Sequence, residues 1–135
     1  MLSRLEANRM DNVAGMEQGT KVIFGEVIDA HHIVKYQVMR GPVSLCAYVG
    51  VPMDHSLAYQ KYQDIDLDCH GGLTFSQVGD GIKWEAGYWW LGWDYAHFGD
   101  RTYPLYQPEP GIKEWTVKEV SEEALAVAED VLNRW

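Results

Sequence analysis

Two stretches of the chain hold residue types able to do chemistry. Asp68–Cys69–His70–Gly71–Gly72 sets an imidazole beside a carboxylate and a glycine pair. Trp93–Asp94–Tyr95–Ala96–His97–Phe98–Gly99–Asp100 sets a second imidazole between two carboxylates. Imidazole and carboxylate together suit a divalent metal. The same pair also makes a general base oriented by an acid. The glycines add a third option: lacking a Cβ, Gly71 and Gly72 can turn backbone amides outward as a nest for an anion. The spacing matches no standard ligand signature, so any such chemistry has to be assembled by folding.

Brought together, His70, Gly71, Gly72, Trp93, Asp94, His97 and Asp100 would line one ligand pocket. Amides and imidazoles would hold anionic groups there while an aromatic ring stacks on a base or sugar. His70, Asp94, His97 and Asp100 alone form the alternative, a metal centre activating water. Each residue also has a plainer use. His70 suits a sharp bend, Asp94 and Asp100 suit turn caps, and His97 suits orientation by either carboxylate. As nucleophiles, Ser76 lacks a surrounding elbow, and Cys69 alternates toward the apolar side.

The elements that must position these groups are mostly strands. Lys21–Ile28 is rich in β-branched residues, and residues 32–39 share that composition. Residues 44–51 form a nearly unbroken apolar run, which suits a central strand ended by Pro52. Residues 52–64 read as a loop. Ile65–Cys69 alternates, with Asp66 and Asp68 on one side, and reads as a short strand that Leu73–Ser76 continues. After a turn at Gly79–Asp80–Gly81, residues 82–93 return as a strand. Tyr88 and Trp90 then face one side, and Trp89 and Trp93 the other if Gly92 makes a bulge.

Residues 101–115, with Pro104, Pro108 and Pro110, form an irregular connector. Thr116 and Glu119 have capping-box spacing and open a helix over 116–134. Its apolar stripe runs Val120, Ala124, Val127, Val131 and Trp135, widened by Leu125, Ala128 and Leu132. Residues 1–20 read as a short helix or irregular arm. The expected fold is a single α+β domain over 1–135. It has a mostly antiparallel sheet of about five or six strands and one C-terminal helix packed on a face.

Composition narrows the partners. Twenty acidic against 11 basic residues give a net charge of −9, which repels a phosphate backbone and argues against duplex nucleic acid. No run approaches the roughly 20 apolar residues of a membrane span. The first residues lack the apolar run of a signal peptide. Cys46 and Cys69 make no disulfide framework, so a reducing cytoplasm is expected.

Three segments carry a family resemblance: Cys46–Ala47–Tyr48–Val49–Gly50–Val51–Pro52 leading to His55, Asp68–Cys69–His70–Gly71–Gly72–Leu73–Thr74–Phe75, and Trp90–Leu91–Gly92–Trp93–Asp94–Tyr95–Ala96–His97–Phe98–Gly99–Asp100. Over residues 44–134 the chain resembles a family of small uncharacterised proteins of phages and bacteria. It departs after His55, where Ser56–Leu57–Ala58–Tyr59 replaces the family's proline, leucine, tyrosine and glycine. That family has no established activity, so the resemblance implies a phage or prophage origin and no catalytic residues. The leading expectation is a non-catalytic protein of phage type. It would bind or sequester a small polar ligand such as a nucleotide, for counter-defence in the host cytoplasm. The alternatives are a metal-dependent hydrolase built on the same His/Asp cluster and an acidic module that inhibits a host protein. A second copy of the chain stays open as a partner.

Overall fold

The computed structural model describes residues 13–103 and 111–135. Residues 1–12 of the expected arm and residues 104–110 of the connector lie outside that range. Five strands, β1 (Lys21–Ile28), β2 (Ile33–Arg40), β3 (Leu45–Pro52), β4 (Phe75–Val78) and β5 (Tyr88–Asp94), form one antiparallel sheet in the order β1-β2-β3-β5-β4. One helix, α1 (Val117–Leu132), follows them. The fold is α+β, as the pattern predicts. Before β1, Val13–Gly15 makes a single 3-10 turn.

The apolar run of β3 does lie at the centre, between β2 and β5. Strand pleat divides its side chains. Leu45, Ala47, Val49 and Val51 join one buried cluster with Val34 and Val38 of β2, Trp93, and the Val120, Ala124, Val127 and Val131 stripe of α1. Cys46, Tyr48 and Gly50 face the other way. Burial of that stripe is what holds α1 on the sheet. Leu125, expected to widen the stripe, is exposed instead.

Thr116 caps α1 as its spacing predicts. Its Oγ1 accepts the Glu119 amide at 3.2 Å, and the Glu119 carboxylate accepts the Thr116 amide at 3.1 Å.

Three expectations are corrected. Residues 65–69 keep the predicted in-and-out burial, with Leu67 buried and Asp66 and Asp68 exposed, but form no strand. They run beside α1: Arg134 Nη1 donates to the Asp66 carbonyl at 2.7 Å, and the His70 amide donates to Glu123 Oε1 at 3.3 Å. Residues 82–87 are not strand either. Asp80 Oδ1 accepts the amides of Ile82, Lys83 and Trp84, curling the backbone into a loop that lays Trp84 against Tyr48 and Phe75. Finally, β5 pairs with β3 without a break, so Gly92 makes no bulge. Simple alternation places Trp89 and Trp93 on the helix side and Trp90 on the other.

His55 is a buried structural histidine. Its Nδ1 accepts the Leu57 amide at 2.9 Å, so its Nε2 carries the proton and donates to the Val131 carbonyl at 2.9 Å. Burial lowers its pKa from the ordinary 6.5, outweighing the Val131 bond that favours the proton. The folded state therefore resists protonation more than the unfolded chain does. The stability His55 contributes is complete above pH 6.5 and is lost as the pH falls toward its lowered folded value. Replacing His55 with alanine should cost about 2 kcal/mol at pH 8. In urea titrations the gap between wild type and variant should narrow from pH 8 to pH 5; a constant gap would refute this assignment.

Candidate functional site

The glycine turn and the end of β5 meet on one side of the molecule. A β-turn closes with the Gly72 amide donating to the Cys69 carbonyl at 2.9 Å, and Gly71 at φ +70 occupies the position that requires a left-handed residue. The turn presents His70 toward the 94–100 loop. There Asp94 Oδ1 accepts the Ala96 amide, and the Asp100 amide returns to the His97 carbonyl at 2.9 Å. Both aspartates thus cap local turns, Asp94 through the Ala96 amide and Asp100 through the His97 amide, while Asp94 Oδ2 accepts the Thr74 hydroxyl at 3.3 Å.

The closest pair is His70 Nε2 and Asp100 Oδ2, at 2.7 Å. Asp100 is nearly buried and held from three directions. Its Oδ2 also accepts the His97 amide at 2.9 Å, and its Oδ1 accepts Trp115 Nε1 at 2.8 Å. Burial by itself would raise its pKa, but the bonds from His70, His97 and Trp115 together hold it below the ordinary carboxylate value. Asp100 is therefore a fixed anion at neutral pH.

His97 completes the group. Its Nδ1 lies 3.6 Å from Asp94 Oδ1 and 3.7 Å from Asp100 Oδ2. That nitrogen is buried and makes no hydrogen bond among the described residues, although the ring as a whole is 34 % exposed. His70, His97 and Asp100 can each direct one ligand atom so that all lie within 4.8 Å of one another. A tetrahedral ion with bonds of about 2.0–2.2 Å spaces its ligands roughly 3.3–3.6 Å apart. The two His97 distances nearly match that spacing, and the His70–Asp100 contact needs only to open slightly.

Behind the cluster lies support that the sequence reading missed. The His70 ring stacks on Tyr95 with centroids 4.7 Å apart and planes 3° from parallel, and Trp115 leans on both. Glu123 of α1 accepts three donors on one oxygen: the Tyr95 hydroxyl, Trp93 Nε1 at 3.0 Å and the His70 amide at 3.3 Å. Burial, then the bond to Glu123, pushes the Tyr95 phenol well above its ordinary pKa, so it remains a neutral donor. Neither Glu123 nor Trp115 carries a local motif. Only their position after folding marks them.

Several expected pocket features fall elsewhere. Trp93 is 1 % exposed, with its indole N–H bonded inside the core, so its ring cannot stack on a ligand. The amides of His70 and Gly72 are both taken by internal acceptors, which removes two donors from the expected anion nest. Cys69 is an unreactive thiol: burial first, then Glu123 and Asp68, pushes it up to about 12. Ser76 Oγ accepts the Tyr62 amide at 3.0 Å, and among the described residues it has no hydrogen bond to either histidine. A trough of about 640 Å³ is lined by Phe24, Lys35, Gln37, Ile82 and Trp90, and by none of the seven site residues.

The chain matches no known protein-family model, no curated protein and no solved structure.

Proposed function

We propose that the protein is a metal-dependent hydrolase whose divalent ion is held by His70, His97 and Asp100, with Asp94, beside His97, as a fourth ligand. The supporting observation is the buried, unpartnered His97 Nδ1, which faces two carboxylates at 3.6 and 3.7 Å. An imidazole nitrogen shut away from water without a partner is costly, and a cation between it and the aspartates removes that cost. Asp100, already anionic, needs no proton removed before binding. The 24 % and 34 % exposure of the two histidines leaves the site open to water and substrate.

Held by His70, His97 and Asp100, such an ion would supply a water of lowered pKa and a Lewis acid for a phosphoryl or carboxyl oxygen. The protein's own contribution is placement. Tyr95 and Trp115 fix the His70 plane, and Trp115 and the His97 amide fix Asp100. Phe98 is fully exposed, one residue from His97. It takes the stacking role that Trp93 cannot fill, which favours a small polar substrate carrying a flat ring, such as a nucleotide.

The same residue supports a second reading, a binding protein that holds this ligand without turnover. A cytoplasmic setting suits both readings, since Cys46 and Cys69 are free thiols. No helix among the described residues is long and apolar enough to cross a membrane.

The test is metal content and thermal shift. Zinc or manganese at about 100 times its dissociation constant should stabilise the wild type by roughly 2.7 kcal/mol. His97→Ala and Asp94→Asn should lose that stabilisation while remaining folded by circular dichroism. Hydrolysis of nucleotide phosphoesters by the loaded protein separates enzyme from binder. Indifference of the wild type to every divalent ion would overturn the hydrolase.

A further inference from the structure

We infer that the outer edge of β1 pairs with the β1 of a second copy, joining two sheets across a two-fold axis at Phe24. Strand β1 ends the sheet, and β2 is its one strand neighbour among the described residues. Its backbone parity follows from the hairpin. The Asp29 amide donates to the His32 carbonyl at 3.1 Å, so stepping back in twos turns Val27, Gly25 and Ile23 toward β2. Phe24, Glu26 and Ile28 then aim their amides and carbonyls at the open edge, ready for another strand.

The side chains select which strand. Phe24 is 77 % exposed, and Lys21, Glu26 and Ile28 are exposed with it. Strict alternation would put Lys21 on the opposite face from these three. The register, however, slips between Lys21 and Ile23, where the ladder advances two residues against one on β2. This bulge turns Lys21 onto the face of Phe24 and Glu26. Both charges consequently lie two ladder steps from Phe24, one on each side.

In an antiparallel copy centred on Phe24, each Lys21 meets the other chain's Glu26 and the two rings lie side by side. An isologous contact requires this kind of self-complementarity, in which one patch satisfies itself twice. A strand bringing Lys21 against Lys21 would be repelled, so the same charges exclude the parallel arrangement. The partner's edge also extends the wall of the 640 Å³ trough, to which Lys21, Phe24 and Glu26 already contribute.

The test is assembly mass against concentration for the full chain, by sedimentation equilibrium. The expected species has twice the 15.4 kDa chain mass. Phe24→Asp should give a monomer with an unchanged circular dichroism spectrum. Lys21→Glu and Glu26→Lys should each weaken the dimer on the order of tenfold, and the double swap should recover most of that loss. A monomer at every concentration overturns the inference, as does a dimer indifferent to Phe24→Asp. Failure of the double swap to restore assembly overturns the proposed register.

Discussion

Replacing Glu123 with leucine is expected to destabilise the protein by about 3 kcal/mol, although Glu123 sits on the helix between an exposed glutamate and a buried alanine. Its Oε1 is the shared acceptor for the Tyr95 hydroxyl, Trp93 Nε1 and the His70 amide. Removing that oxygen leaves the buried Tyr95 and Trp93 donors short of an acceptor, at roughly 1–3 kcal/mol for each unsatisfied group. The total is held down because Trp93 Nε1 keeps a second acceptor, the Tyr95 oxygen, at 3.1 Å. Glu123→Gln retains a carbonyl oxygen and should lose less than half as much. Chemical denaturation of the three proteins reads both differences. Equal stabilities would mean that the network contributes nothing. Because Glu123 also holds the His70 amide, the leucine variant should bind metal more weakly as well.

Gly71→Ala is expected to cost roughly 2–4 kcal/mol and to reduce metal affinity on the order of 100-fold. Two effects combine. At φ +70 a side chain is strained wherever it points, and a Cβ on Gly71 would fall on all three of the nearest His97 ring atoms, closer than real Cβ contacts come. The ring must move, carrying Nδ1 away from Asp94 and Asp100. Gly72 supplies the control. It also has positive φ, at +79, but nothing lies within 4 Å of its missing Cβ. Gly72→Ala should cost only the backbone strain, about 1 kcal/mol, and leave metal binding intact. Calorimetric titration with zinc would settle the contrast; equal losses of affinity in both variants would show that His97 is not displaced by its neighbour.

Those glycines show what a sequence can disclose. Strands β1 to β3 were legible because β-branched and continuous apolar runs report burial directly. Helix α1 was legible because Thr116 and Glu119 are local partners three residues apart. The meeting of His70 with His97 and Asp100 was also legible in residue types, whereas Asp94 lies beside His97 alone. Glu123 was not, since a glutamate in a helix looks the same whether it faces solvent or a buried indole. Residues 65–69 misled for a related reason. Alternation records which side chains are covered, not whether a strand or a helix covers them. Residues 82–87 misled because Ile82 and Trp84 have strand composition, while one carboxylate, Asp80, decides the backbone path.

The strand order has a kinetic meaning. Strands β1, β2 and β3 are sequence neighbours joined by short turns, so their ladders close small loops and form early. Strand β5 must return to β3 across 35 intervening residues, from 53 to 87, and β4 has β5 as its one strand neighbour among the described residues. The ladder of β4 therefore cannot exist until β5 has docked. The His70 turn, which leads directly into β4, acquires its neighbours in the 94–100 loop only on the same late schedule. Nascent or partly folded chains can thus hold a complete meander while still lacking the arrangement that would grip an ion.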